Sequence, residues 1–251
     1  MDRRRLIQWA GVSATGLAGW TAWAAAGPTI RMGYFDKYAP FSQRSDNGVV
    51  SGALIDGMEL VANACGVNLE HFGYPWARAQ LLVERGDLDG FCTIRTQARL
   101  VYADFCATPI ISLNYGIFHR ADDPRPLSVR SVEDLRPLRQ GTYRGSGYSK
   151  ENLEQDRMQI DNDEESILRR IAMGNLDTFV EGELVMQLRL KELGLSDKIR
   201  FTPAPFLPKA NYCFGLRRSH PDFDKVLPRM EAAAQAARKS GALQAVLQKY
   251  R

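Results

Sequence analysis

The stretch from Gly86 to Arg99, GDLDGFCTIRTQAR, constrains this chain more than any other. A helical run (Leu81, Leu82, Val83) stops at Gly86, the residue type that most readily takes the left-handed turn ending a helix. An apolar strand, Leu88 to Ile94, follows, and a polar loop then reaches Arg99. The first half of the pattern recurs: Gly174 to Phe179 repeats the G-x-L-D-x-F of Gly86 to Phe91, again after a helical run (Ile167, Leu168, Ile171). Two α/β units with the same ending predict two similar lobes, each sending a strand toward a shared cleft. Only the first unit continues into T-x-x-R.

The N-terminus reads as an export signal rather than part of the fold. Arg3, Arg4 and Arg5 precede a mildly apolar stretch, Leu6 to Ala26, that ends in small residues, with Ala22-Trp23-Ala24 or Ala24-Ala25-Ala26 as the cleavage site. The glycines, Ser13 and Thr15 within it make the stretch too weakly apolar for a membrane span and resemble a twin-arginine signal. The expected location is the periplasm, with residues 1–26 removed. Those residues hold three arginines and one aspartate, so 30 basic and 28 acidic residues remain, a net charge of +2. That near-neutrality disfavours nucleic acid as a partner and points to a local binding site. Four widely spaced cysteines (Cys65, Cys92, Cys106, Cys213) have no C-x-x-C and no histidine nearby, so no metal and no cofactor is expected. A Cys92–Cys106 disulfide and buried free thiols both remain open.

Along the remaining 225 residues, Thr29 to Tyr34 alternates as a first strand. Leu54, Met58, Val61 and Cys65 are spaced as a helix ending at Gly66. Val67 to Phe72 reads as a strand and Trp76 to Arg85 as a helix, and this βαβα order predicts a parallel sheet covered by helices. Tyr102 to Cys106, Ile110 to Phe118, Gln140 to Tyr143, Leu176 to Val180 and Asn211 to Leu216 read as extended. Ser131 to Asp134 is a capping-box start, Leu184 to Leu193 a helix, and Pro221-Asp222 opens a C-terminal helix followed by a last one with Leu243, Val246 and Leu247.

Taken in order, IRMGYFDKYAPF (30–41), the helix-Gly-Asp-Leu-Asp-strand unit, TQARLVYADF (96–105), SVEDLRPLRQGTYRGS (131–146), GNLDTFVEGE (174–183) and YCFGLRRSHPDF (212–223) resemble the family 3 extracellular solute-binding proteins, the periplasmic receptors of polar amino-acid ABC importers. The resemblance implies an α/β periplasmic-binding-protein type II fold of two lobes joined by two crossing strands. It sets lobe 1 at residues 27–115 plus 213–251 and lobe 2 at 116–212, with crossings near Asn114 to Phe118 and Asn211 to Phe214. Ligand would sit between the lobes and close them by a hinge motion.

The same resemblance supplies a site. Arg99 matches the arginine that clamps a ligand carboxylate, which suits a planar guanidinium offering two parallel charge-assisted bonds. Thr96 would cap the turn that carries it. Thr93 falls where the family offers hydroxyl and backbone donors. Tyr38 and Trp76 match aromatic positions that sandwich the ligand side chain, with plain packing as the alternative. Ser146, with Gly145 and Gly147, matches the second-lobe loop that meets the carboxylate. The family aspartate that pairs with an α-ammonium should fall five residues after Asp177, where this chain has Gly182 flanked by Glu181 and Glu183. Strand alternation puts both glutamates on one face unless the strand has already ended; either could substitute, with Glu181 counted among the site residues, or both could face solvent. Arg95 and Arg144 could also line the cleft and would suit a dianion, or stand on loop edges.

The function expected is that of a monomeric, non-enzymatic receptor presenting a small carboxylate-bearing metabolite to ABC-importer membrane subunits. The alternatives are a cyclohexadienyl-dehydratase-like enzyme on the same fold, with Glu181 or Glu183 as general acid, and an orphan ligand sensor. Hydrolase chemistry is disfavoured, since the three histidines are scattered and no G-x-S-x-G occurs.

Overall fold

The structure, a computed structural model, describes residues 27–250; the predicted signal segment lies outside the described residues. Two mixed sheets organise the chain. The first runs, in spatial order, Asn68–Tyr74, Thr29–Phe35, Gly90–Ile94, Ala210–Arg217 and Ala103–Phe105, with Ile111–Leu113 also on Ala210–Arg217. The second runs Met158–Asp161, Gln140–Tyr143, Thr178–Gly182, Tyr115–Arg120 and Ile199–Pro203. In each, a parallel core built by α/β units meets antiparallel strands arriving from elsewhere in the chain. The parallel sheet expected from the βαβα order forms among Asn68–Tyr74, Thr29–Phe35 and Gly90–Ile94, and Ala210–Arg217 joins it antiparallel beside Gly90–Ile94.

The chain leaves the first sheet after Leu113 and enters the second at Tyr115. It leaves the second after Pro203 and re-enters the first at Ala210, a few residues before the stretch expected for that crossing. The helix Trp76–Arg85 starts and ends where the sequence predicts, closed by Gly86 at φ 87°. The helix Ala53–Cys65 is likewise closed by Gly66 at φ 65°. Such positive φ values are cheap for glycine and strained for any other residue.

The repeated G-x-L-D motif is a matched pair of structural clasps. Asp89 accepts from the Arg31 backbone N–H (3.0 Å), Nε (2.9 Å) and Nη2 (3.0 Å), while Arg31 also reaches the Gly86 carbonyl at 3.2 Å. Asp177 repeats every element: it accepts from the Arg139 N–H (2.7 Å), Nε (3.1 Å) and Nη2 (2.7 Å), and Arg139 reaches the Gly174 carbonyl at 2.7 Å. Each aspartate holds a second arginine, Arg217 on Asp89 and Arg125 on Asp177. Both carboxylates are buried, and the charge-assisted bonds satisfy them. The motif therefore locks each helix end to the neighbouring strand.

The cysteines are all free, so no Cys92–Cys106 bridge forms. Cys92 faces the space between the sheets, whereas the Cys106 Sγ turns toward the Leu227 carbonyl of the helix Phe223–Lys239.

Candidate functional site

Between the two sheets lies a small chamber. Its walls carry the rings of Phe35, Tyr38, Trp76, Tyr115, Tyr143 and Tyr212, together with Thr93 and Arg99. Four of the sequence-predicted site residues, Arg99, Thr93, Tyr38 and Trp76, thus meet in one place.

Arg99 is held there by its own turn. Thr96 caps the short helix Gln97–Leu100, its Oγ1 accepting from the Arg99 N–H at 3.3 Å. The guanidinium donates from Nε to Gln80 Oε1 (3.0 Å) and from Nη1 to the Ile94 carbonyl (2.7 Å), and it lies 5.1 Å from the Trp76 ring centroid. Only 2% of Arg99 is exposed, and burial lowers its pKa while tyrosines supply the charge interactions around it. Two of its five N–H groups are used by these bonds, and among the described residues no carboxylate pairs with it. A desolvated cation aimed at a cavity without an anion is poised to receive one.

Gln80, which sequence reasoning missed, couples this cation to the opposite wall. While its Oε1 accepts from Arg99, its Nε2 donates to the Gly145 carbonyl at 3.2 Å. Its signal was position alone, one helical turn after Trp76 on the same face. The opposite wall approaches closely. A Cβ on Gly147 would stand 2.9 Å from both terminal nitrogens of Arg99. Further contacts bridge the lobes: the Gln97 N–H donates to Glu151 Oε1 at 2.9 Å, and Arg189 donates to the Lys37 carbonyl at 3.0 Å.

Ser146 is placed beside the chamber rather than in its lining. It lines the adjoining groove with Thr96 and Gly147, and its Oγ caps the helix Gly147–Asn152 by accepting from the Ser149 N–H at 3.3 Å. Arg95 and Arg144 are exposed and outside the chamber lining. Glu183 does not share a face with Glu181. The strand ends at Gly182, Glu183 opens the helix Glu183–Glu192, and its side chain is exposed.

Glu181 is buried but lies behind the chamber wall. Its Oε1 accepts from the Tyr38 hydroxyl (3.0 Å) and the Gly182 N–H (2.8 Å), and the Tyr115 and Tyr143 hydroxyls also favour the ionised carboxyl. Tyr38 in turn meets the Tyr212 hydroxyl at 2.7 Å, and Tyr212 meets Tyr115 at 3.1 Å. Burial raises the Glu181 pKa, and the hydrogen bonds oppose that rise. This tyrosine cage was illegible as a unit, because its four rings come from four separate segments.

Two sheeted lobes around a chamber with an unmatched buried cation define a cleft-type ligand-binding protein. Residues 30–251 match the bacterial extracellular solute-binding proteins, family 3, and the chain belongs to that family. No curated protein matches it significantly. Among solved structures it is similar to a histidine kinase sensor domain related to periplasmic binding proteins (21% identity, TM-score 0.73, covering 90% of this chain and 96% of that one). It is similar to the arginine-, lysine-, histidine-binding protein ArtJ from Geobacillus stearothermophilus (16%, TM-score 0.70, 88% and 94%). It is also similar to an ancestral amino-acid-binding protein described as a precursor of cyclohexadienyl dehydratase (20%, TM-score 0.68, 88% and 94%). These likenesses establish the type II binding fold expected from the sequence. Among the described residues no helix is long and apolar enough to cross a membrane.

Proposed function

We propose that this protein is a periplasmic receptor that captures a small carboxylate-bearing metabolite between its lobes and presents the closed form to an ABC importer. The observation that carries the reading is Arg99, a buried cation facing a chamber with no anion paired to it. Thr93, Tyr38 and Trp76 line the same chamber and would contact the ligand. Ser146 would act from the adjoining groove, and Glu181 through the tyrosine hydroxyls that it holds. Lobes of residues 27–115 plus 213–251 and 116–212, a signal segment over residues 1–26 and a monomeric state belong to the same proposal.

The runner-up is a dehydratase-like enzyme, favoured by a buried glutamate with a raised pKa. A general acid must touch the leaving oxygen, whereas Glu181 stands behind Tyr38. A thermal-shift screen with amino acids, organic acids and prephenate-like acids separates the two, with product analysis of every hit. A stabilising carboxylate recovered unchanged supports the receptor; consumption of a prephenate-like acid contradicts it. A ligand at 100 times its dissociation constant adds about 2.7 kcal/mol of stability, which a melting curve resolves. Stabilisation by none of these acids would also count against the receptor and leave a sensor tuned to other chemistry.

A further inference from the structure

The charge balance of the chamber narrows the ligand class, on the footing that the receptor reading holds. Arg99 is the one charged side chain among the described residues lining the chamber. No acidic side chain reaches that lining. Glu181 lies outside that lining, its Oε1 accepting from the Tyr38 hydroxyl at 3.0 Å and the Gly182 N–H at 2.8 Å. An ammonium group entering the chamber would lose its water without gaining an ion-pair partner.

Aromatic faces do not replace that partner. A ring binds a cation through an open face, and the two rings nearest the cation already carry neighbours. The Trp76 ring has the Arg99 guanidinium 5.1 Å from its centroid. Tyr38 packs against Phe35, at 5.6 Å, and Phe41, at 5.9 Å. Nor would a second carboxylate find a cation, since Arg95 and Arg144 stand exposed outside the lining. What remains is one anion site set among apolar ring surfaces and uncharged hydroxyls.

We propose that the chamber selects a compact monocarboxylate with an apolar or aromatic body and no ammonium group. Its carboxylate would take the free N–H groups of Arg99, and its body would lie against the aromatic lining of the chamber. Amino acids of the same skeleton would be the discriminated class, because their extra charge has no partner in the chamber.

Matched pairs that differ only in the α-ammonium test this directly: propanoate and alanine, 4-methylpentanoate and leucine, 3-phenylpropanoate and phenylalanine. Titration calorimetry on the purified protein and on Arg99→Met should show the deaminated member binding at least tenfold tighter in one or more pairs. That binding should disappear in the variant. An amino acid that binds more tightly than its deaminated partner, and still needs Arg99, overturns this inference and leaves the receptor reading standing. Binding that is indifferent to Arg99 overturns both. If neither member of any pair binds, the inference falls, and the wider acid screen decides the receptor reading separately.

Discussion

Gly147 lies flat against the guanidinium of Arg99. A methyl group built on it would meet both terminal nitrogens at 2.9 Å and the Thr96 methyl at 2.8 Å. The contact joins the second lobe to the cation of the first, so the space between them is set by the absence of a side chain. Gly147→Ala should force either the guanidinium or the lobe to move. Overpacking of this kind costs about 1–3 kcal/mol, so we expect ligand affinity to fall by roughly tenfold or more. The melting temperature without ligand should also fall by a few degrees, because the same clash is present in the ligand-free arrangement. Unchanged affinity measured by calorimetry would show that the two lobes do not meet here in the bound state.

Gln80 offers a way to occupy Arg99 from within. Its Oε1 already sits 3.0 Å from Nε, so Gln80→Glu would place a carboxylate on the buried cation. The variant should melt higher than the parent in the absence of ligand, since it neutralises an uncompensated charge. It should also bind anionic ligands at least about tenfold more weakly. The opposite signs of the two effects are the diagnostic result, readable from melting curves and a titration on one preparation.

The paired clasps predict acid sensitivity. Burial pushes the Asp177 carboxyl up, but the bonds from Arg139 and Arg125 outweigh it and hold the group well below the usual carboxylate range. A depressed folded pKa gives stability that is present above the unfolded value, near 3.9, and lost as pH falls through the folded value. Asp177→Asn should therefore lose about 2–3 kcal/mol at neutral pH, with the gap to wild type narrowing below about pH 4. Denaturant melts across that range check it; a gap independent of pH would mean that packing, not charge, makes the clasp.

Glu164 runs the other way. Burial pushes its carboxyl up to about 8, its Oε1 has no partner, and Glu181 and Asp163 add repulsion that Arg189 offsets in part. An acid with a raised folded pKa keeps its proton in the native state, so stability falls as pH rises from the unfolded value, near 4.3, through 8. Glu164→Gln should melt a few degrees above wild type at pH 9 and close to it at pH 4. Equal melting temperatures at both pH values would contradict a buried, protonated Glu164.

Much of this architecture was legible in the chain. The helix Trp76–Arg85 and the strand Gln140–Tyr143 announced themselves because periodicity, glycine stops and burial agree there. The strand Met158–Asp161 did not: it is an edge strand whose residues are half-buried or exposed, so no alternation marks it. The strand Ile199–Pro203 was masked by the prolines that follow. At the site, the Gly-Leu-Asp echo was visible as a repeat, but its role in holding arginines required the pairing of distant segments. Arg99 stood out because its capping threonine travels with it. The tyrosine cage around Glu181 did not, since nothing local in Tyr38, Tyr115, Tyr143 and Tyr212 says that they converge. Glu183 misled for a simple reason: the two-residue period of a strand stops where the strand stops, at Gly182, and Glu183 begins a helix.

The central claim is that Arg99 is kept buried without a protein anion in order to receive a ligand carboxylate. Titration calorimetry of wild type and Arg99→Met with the carboxylate that stabilises the wild type most tests it directly. We predict that the variant binds at least about 30-fold more weakly while its ligand-free melting temperature changes little, because relief of an unpaired buried cation offsets the lost bonds to Gln80 and the Ile94 carbonyl. Equal affinity in the two proteins would contradict the claim and leave Arg99 as a structural cation of the first lobe.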